Sequence, residues 1–216
     1  MVNVKSTSLR ALYNKFSSKG LFDNGAFYCE HLNDSHKDEI EAFSVRHPEA
    51  AYGLEDYIKN AALPDEADNR MRTYLVKDLD SDEVVGYFSL KAGMFSINER
   101  EYYDEEKKKT RTVFDTEPGI EIADFAVNGA YQDNHPSVKG VGVVIFLDFI
   151  RPIAFQIGKM LGVKYLYIFA LPYHSLIERY EKSYHFRRLS SKEEDELHKR
   201  VKPFYDDGCY FMYQRL

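Results

Sequence analysis

Apolar positions change period several times along the chain, and each change marks an element. Leu9, Leu12, Tyr13 and Phe16 recur at i, i+3, i+4 and i+7, the spacing of one helical face. Ser6, Thr7 or Ser8 can cap it, so residues 1–20 are expected to form a docking helix. Residues 26–32, AFYCEHL, read as a strand. Ser35 followed by Asp38 resembles a capping box, so a helix should begin there and stop before Pro48. A second helix is expected over 53–62, ended by Pro64. Strands follow at 72–78 and 84–90 around Asp80-Ser81-Asp82, a hairpin signal. Residues 94–117 are polar, and 101–111 read EYYDEEKKKTR. Their like charges come in blocks that balance near zero, as in a solvated loop or a hairpin extension.

The second half is more regular. Residues 120–127, IEIADFAV, form a strand. A glycine-containing loop then ends at Lys139-Gly140-Val141-Gly142. An apolar helix should run over 143–161, kinked at Pro152, because proline removes a backbone donor and crowds the preceding turn. Gly162 stops it. Residues 165–171, YLYIFAL, are apolar on both faces, as in a buried strand. A short helix over 175–184 with Ser175 as its cap, a strand near 186–189, a polar helix over 191–200 and a last strand over 209–215 complete the order. A strand–loop–long helix–strand unit implies a parallel pair with a right-handed crossover, while the upstream hairpin implies antiparallel pairing. The fold class expected is α/β (α+β): a mixed sheet with helices on both faces, in one domain over 1–216.

Composition narrows the classes. A chain of 216 residues buries enough surface to need no disulfide or metal staple. Hydrophobic residues at 44% and aromatics at 15% exclude a disordered chain. Cys29 and Cys209 are too few for a disulfide framework, and the seven histidines show no metal-ligand spacing. A net charge of −6 counts against a non-specific nucleic-acid binder. The most apolar run, 141–157, is broken by Asp148, Arg151 and Pro152, so no membrane span is expected. The N-terminus has the basic, serine-containing composition of a mitochondrial presequence, but its apolar spacing fits a docking helix better. The expectation is a soluble cytoplasmic protein.

The stretch from Ser137 to Gly142 joins a strand to a helix N-terminus. Its glycines let a ligand approach the backbone, and first-turn amides can hold a pyrophosphate. No Gly-Lys-Ser/Thr follows, as a P-loop requires, and no third glycine, as a dinucleotide fold requires.

Three segments together carry a resemblance: IEIADFAV at 120–127, then Tyr131-Gln132, then Lys139-Gly140-Val141-Gly142. Together they resemble motif A of the GCN5-related N-acetyltransferases (GNATs). The segment from Leu176 through Tyr180-Glu181-Lys182 to Phe186 is similar to motif B of that family. The resemblance covers 26–216, with its core motif at 120–189. It implies a GNAT-like, mostly antiparallel sheet of six to seven strands whose central parallel pair, 120–127 and 165–171, splays apart to admit acetyl-CoA. Backbone groups of Phe125, Ala126 and Val127 would then pair with the pantetheine arm. Gln132 would stand in the Tyr-Arg/Gln pair, and amides of Val138, Lys139, Gly140, Val141, Gly142 and Val143 would hold the pyrophosphate. Two departures stand out. Ser137 occupies the usual Arg/Gln position, with residues 133–137 as extra length. His185 replaces the glycine before Phe186, after one residue added within 181–184.

The resemblance also implies chemistry. Glu121 matches the general-base glutamate of the histone acetyltransferase branch, and a partly buried carboxylate there would have a raised pKa. Asp124 lies on the opposite face by period two and is the other candidate. Tyr180 matches the tyrosine that protonates the departing CoA thiolate, with Tyr184 the alternative if the added residue shifts the register. The implied activity is acetyl transfer from acetyl-CoA to a primary amine, a cationic small molecule or a peptide or protein amine, by direct attack in a ternary complex. Two alternatives are a toxin-like member acetylating aminoacyl-tRNA and a non-catalytic acyl-CoA-binding domain. Residues 21–70 hold 12 acids and 4 bases, whereas 136–170 hold 4 bases and 1 acid. Negative charge gathers on the segment where an acceptor would arrive, which favours a cationic amine over nucleic acid. A homodimer is compatible with this reading.

Overall fold

The computed structural model describes residues 22–46, 48–201 and 208–216, so the helix expected over 1–20 lies outside the described residues. Strands β1 (Phe22–Asp23) and β2 (Phe27–His31) open the chain. A tight turn at Asp34–His36 leads into α1 (Lys37–Glu41). Helix α2 covers 48–67 in three pieces: Pro48–Asp56, a wide turn at Tyr57–Ala61, and Ala62–Ala67. Then come β3 (Arg72–Asp78), β4 (Val84–Asp104) and β5 (Lys109–Val127). Helix α3 (Gly129–Asn134) precedes α4 (Val141–Leu161). The chain closes with β6 (Tyr165–Ala170), α5 (His174–Lys182), β7 (Arg187–Arg188), α6 (Ser191–His198) and β8 (Tyr210–Arg215).

The strands are ordered β1-β2-β3-β4-β5-β6-β8-β7. Strand β2 is antiparallel to β1 and β3, and β8 is antiparallel to β6 and β7. Strands β5 and β6 form the parallel pair. The fold class is thus the expected mixed α+β, with eight strands rather than six or seven. The addition is β1, whose two residues are too few to leave a period in the sequence, while β7 is the strand expected near 186–189, shortened to two residues. Residues 94–117 are the far end of the β4–β5 hairpin, turned by 105–108 with Lys108 in the left-handed region.

Contacts group the chain into two compact units, residues 1–89 with 124–151 and residues 90–123 with 152–216. In the first, Leu32, Phe43, Ile58, Leu75, Tyr87 and Ala126 share one core. In the second, the core is aromatic: Phe95, Tyr167, Phe169 and Phe211 meet ring to ring at 5.1–6.2 Å.

Both helical prolines depart from expectation for one reason. Pro64 does not end α2, and Pro152 does not break α4. Each follows a turn in which the amide bonds five residues back, Ala62 to Tyr57 and Arg151 to Phe146. A wider turn gives the pyrrolidine ring the room that an α-turn denies it. Helix α4 therefore begins at Val141, not 143, and continues to Leu161. By length and composition alone it could cross a membrane, which corrects the expectation that no stretch approaches a span: Asp148 and Arg151 are too few charges to exclude one. Yet 44% of its window is buried within the protein. Val141, Ile145, Phe149 and Ile153 repeat every four residues along the buried stripe.

The caps differ too. Asn33 and His36, rather than Ser35 and Asp38, form the first capping box. Ser175 lies inside α5, whose N-cap position is Tyr173 with no side-chain cap. Ser190 and Glu193 make a capping box on α6.

Gly86 sits where β4 passes closest to its neighbours. A Cβ there would stand 2.7 Å from the Ala126 carbonyl oxygen and 2.7 Å from Ile145 Cδ1. Gly86→Ala is expected to destabilise the protein by about 1–3 kcal/mol through overpacking. Gly53→Ala, with nothing within 4 Å, should be neutral or stabilising by up to about 1 kcal/mol. Urea unfolding of the two variants checks the contrast.

Candidate active site

The parallel pairing of β5 with β6 spans three residue pairs, from Gly119–Tyr165 to Glu121–Tyr167. Strand β6 keeps β8 as partner from Tyr165 to Ala170. Glu121 is 6% exposed and stands at the end of the parallel ladder. Its Oε2 accepts from the Tyr167 hydroxyl at 3.0 Å, and its Oε1 lies 2.8 Å from Lys91 Nζ. Two glycines make room for Tyr167: a Cβ would stand 1.8 Å from its hydroxyl at Gly93 and 2.7 Å from its ring at Gly119. Both oxygens of the expected base therefore have a donor.

Asp124, on β5 in the first unit, is half-buried. Its charge acts on two tyrosines that sequence reasoning did not select. Tyr57, presented by the wide turn of α2, has its hydroxyl 3.3 Å from Thr73 Oγ1 and 3.7 Å from Met71 Sδ. Thr73 Oγ1 in turn lies 3.0 Å from Ser89 Oγ, and both side chains are fully buried. Burial raises the Tyr57 phenol, the Thr73 and Ser89 hydroxyls pull it back, and the Asp124 and Asp65 carboxylates push it up again. Tyr87 is pushed well above the ordinary phenol range by burial first and Asp124 second. Tyr87 donates to the Leu54 carbonyl oxygen at 2.5 Å. Both tyrosines thus remain protonated near neutral pH. The signal for this cluster was in the sequence as Thr73 and Ser89, polar residues inside otherwise apolar strands.

Ala126 faces the core beside Tyr87, and Phe125 and Val127 are half-buried. Asn128 then anchors the end of β5. Its amide donates to Val85 O at 2.9 Å, its Nδ2 to Val84 O at 2.7 Å, and its Oδ1 accepts from Ala130 N and Ser44 N. That cap starts α3, a helix in what sequence reading left as loop, and Gln132 lies half-buried upon it.

Two of the six amides expected to hold a pyrophosphate are bonded within the glycine turn. Val138 N donates to His135 O at 3.0 Å and Val143 N to Gly140 O at 2.8 Å, so these two amides serve the turn itself. Among the described residues, the amides of Lys139, Gly140, Val141 and Gly142 have no such partner. Gly140 adopts φ +71° at the N-cap of α4, with no side-chain cap and open space where a Cβ would stand. Four amides at the start of a 21-residue helix, beside an exposed Lys139, fit a pyrophosphate.

Tyr180, in α5, is buried, with its ring edge-on to Tyr184 at 5.3 Å and to Phe186 at 5.4 Å. Burial holds its phenol far above the ordinary range, with Tyr184 adding to the effect, so it is protonated near neutral pH. Burial pushes Tyr184 up to about 12. His185 has φ +60°, the left-handed conformation for which glycine is suited, and Phe186 N closes on Tyr180 O at 3.0 Å. A histidine thus occupies a left-handed position that would suit glycine.

The strand order, the short parallel pair and the glycine turn opening α4 define the fold of the GCN5-related N-acetyltransferases. Among solved structures, the chain matches a tyrosine-to-phenylalanine mutant of the AtaT toxin over 89% of its own length and 91% of that chain, at 13% identity and TM-score 0.54. AtaT complexed with acetyl-methionyl-tRNAfMet matches over 86% and 93%, at 14% identity and TM-score 0.58. A tyrosine-to-phenylalanine mutant of KacT matches over 88% and 95%, at 14% identity and TM-score 0.53. At such identities the likeness is one of fold. No protein-family model and no curated protein sequence matches the chain.

Removing the Glu121 carboxylate leaves Lys91 and the Tyr167 hydroxyl unpaired. Glu121→Ala is expected to cost about 2–3 kcal/mol, at the low end for a buried pair because Lys91 is partly exposed. Lys91→Met combined with Glu121→Leu should cost less than the sum of the single changes. A double-mutant cycle by chemical denaturation reads both.

Proposed function

We propose that the chain is an acetyl-CoA-dependent N-acetyltransferase that transfers the acetyl group to a primary amine by direct attack in a ternary complex. The observation that carries this reading is the glycine turn at Gly140, with four amides open at the head of α4, at the end of the segment that follows β5 in a GNAT fold. A solved neighbour, AtaTR, is described as bound with AcCoA, which supports the same cosubstrate here.

In this reading the amides of Lys139 to Gly142 bind the pyrophosphate, and the backbone of Phe125 to Val127 aligns the pantetheine arm. The amine nitrogen attacks the thioester carbon, the C–N bond forms, and the C–S bond breaks. Tyr180 gives its phenolic proton to the departing thiolate. The AtaT and KacT neighbours were solved as tyrosine-to-phenylalanine mutants, a change that removes only a hydroxyl, and this supports giving a tyrosine that role. Asp124 takes the proton from the acceptor ammonium, directly or through water. Its half-buried place, with its charge acting on the Tyr57 and Tyr87 phenols, supports it in that role. Glu121 is then a positioning residue at the end of the parallel ladder.

The acceptor that fits best is a cationic amine. Residues 21–70, which carry α1 and α2, hold 12 acids against 4 bases. A second reading, an aminoacyl-tRNA acceptor, is favoured by one observation: a neighbour of this fold is complexed with acetyl-methionyl-tRNAfMet. An acceptor panel of polyamines, lysine peptides, aminoglycosides and charged tRNA, assayed by thiol release, separates the two.

Acetyl-CoA at a hundred times its Kd should stabilise the protein by about 2.7 kcal/mol, which raises the melting temperature by about 5–10 °C. An unmoved transition at saturating acetyl-CoA overturns the cosubstrate. Tyr180→Phe should lower kcat by about 100-fold or more with KM for acetyl-CoA unchanged. Asp124→Asn should abolish the acidic limb of the pH–rate profile, and an unaltered limb removes Asp124 from the base role.

A further inference from the structure

The loop that leads to Gly140 is longer than the family pattern by residues 133–137, and a longer loop costs more entropy to hold in one shape. The structure places a side-chain brace within that added length. Tyr131, on α3, donates its hydroxyl to Asp78 Oδ2 at 2.6 Å. Asp78 also accepts the amides of Asp80 at 2.9 Å and Ser81 at 3.1 Å, which close the β3–β4 turn. His135 lies with its ring 4.3 Å from the Tyr131 ring, tilted by only 26°. Its Nε2 meets Glu83 Oε2 of the same turn. Through its backbone, His135 accepts Val138 N at 3.0 Å, two residues before Gly140.

We infer that His135, clamped between Tyr131 and Glu83, is a positioning residue for the pyrophosphate of CoA. It holds the added loop length so that the amides of Lys139 to Gly142 converge before the ligand arrives. The inference rests on the CoA-binding reading above. The Tyr131–Asp78 bond fixes α3 to the β3–β4 turn, and the His135–Glu83 pair fixes the residue that leaves α3. The first bond is a short, half-buried hydrogen bond to a carboxylate, whose pKa burial raises but the Tyr131 hydroxyl and two amides bring below the usual range. The second joins two partly exposed side chains, so its worth lies in preorganising the loop rather than in global stability.

The test measures Kd by calorimetry for two ligands, CoA and pantetheine, which lacks the pyrophosphate. His135→Ala should weaken CoA about five- to tenfold and leave pantetheine unchanged, with circular dichroism and melting temperature near those of the wild type. His135→Gln, whose Nε2 can donate to Glu83, should recover CoA affinity to within about twofold of the wild type. Glu83→Ala should repeat the His135→Ala loss, and the double variant should add little to it. Equal CoA affinity in wild type and His135→Ala overturns the inference, as does an equal loss for CoA and pantetheine. If His135→Ala does not fold, Glu83→Ala and His135→Gln decide the matter by the same ligand contrast. A wild-type protein that binds no CoA overturns the CoA-binding reading itself, an outcome distinct from wild-type binding that His135→Ala leaves intact.

Discussion

The ion pair between partly exposed Lys91 and buried Glu121, closed by the Tyr167 hydroxyl, is the constraint on which the second unit is built. Parallel strands need a crossover and gain little from each residue pair, and here the pairing lasts three residues. Such a short ladder needs help from side chains. Tyr167 lies over Gly93 of β4 and Gly119 of β5, and its hydroxyl ends on Glu121. Its ring also opens the aromatic core toward Phe95 and Phe211. One side chain therefore ties three adjacent strands, and two glycines are the condition for its fit. Both oxygens of that carboxylate have partners.

The residues named in the proposed reaction fall in both units. The first carries the open amides at Gly140, the segment from Phe125 to Val127, and the hydroxyl cluster of Tyr57, Thr73 and Ser89 with Asp124. The second carries Tyr180. Burial keeps that phenol protonated near neutral pH.

Much of this was legible in the sequence, and the limits of legibility were physical. Long periodic stretches such as 120–127, 165–170 and the apolar stripe of α4 declare themselves, because burial repeats at fixed intervals. The two-residue β1 and the six-residue α3 do not; α3 is fixed by tertiary bonds such as those of Asn128. The glycine turn was visible, but which amides stay open depends on turn closure by His135 and Gly140 carbonyls, which no residue type announces. Glu121 was picked by its place in a motif. Its ion pair with Lys91, thirty residues away in sequence, could only be seen once β4 and β5 were side by side. His185 shows the reverse case: a residue that breaks the motif in letters keeps it in backbone conformation.

The wide turns at Tyr57–Ala61 and Phe146–Ile150 have a consequence for lineage. An α-helix that gains one residue rotates everything beyond it by about 100°, turning its apolar face away from the core. A turn that bonds five residues back absorbs that residue on the spot and leaves the faces on either side in place. Helices built this way can drift in length while their packing stays fixed.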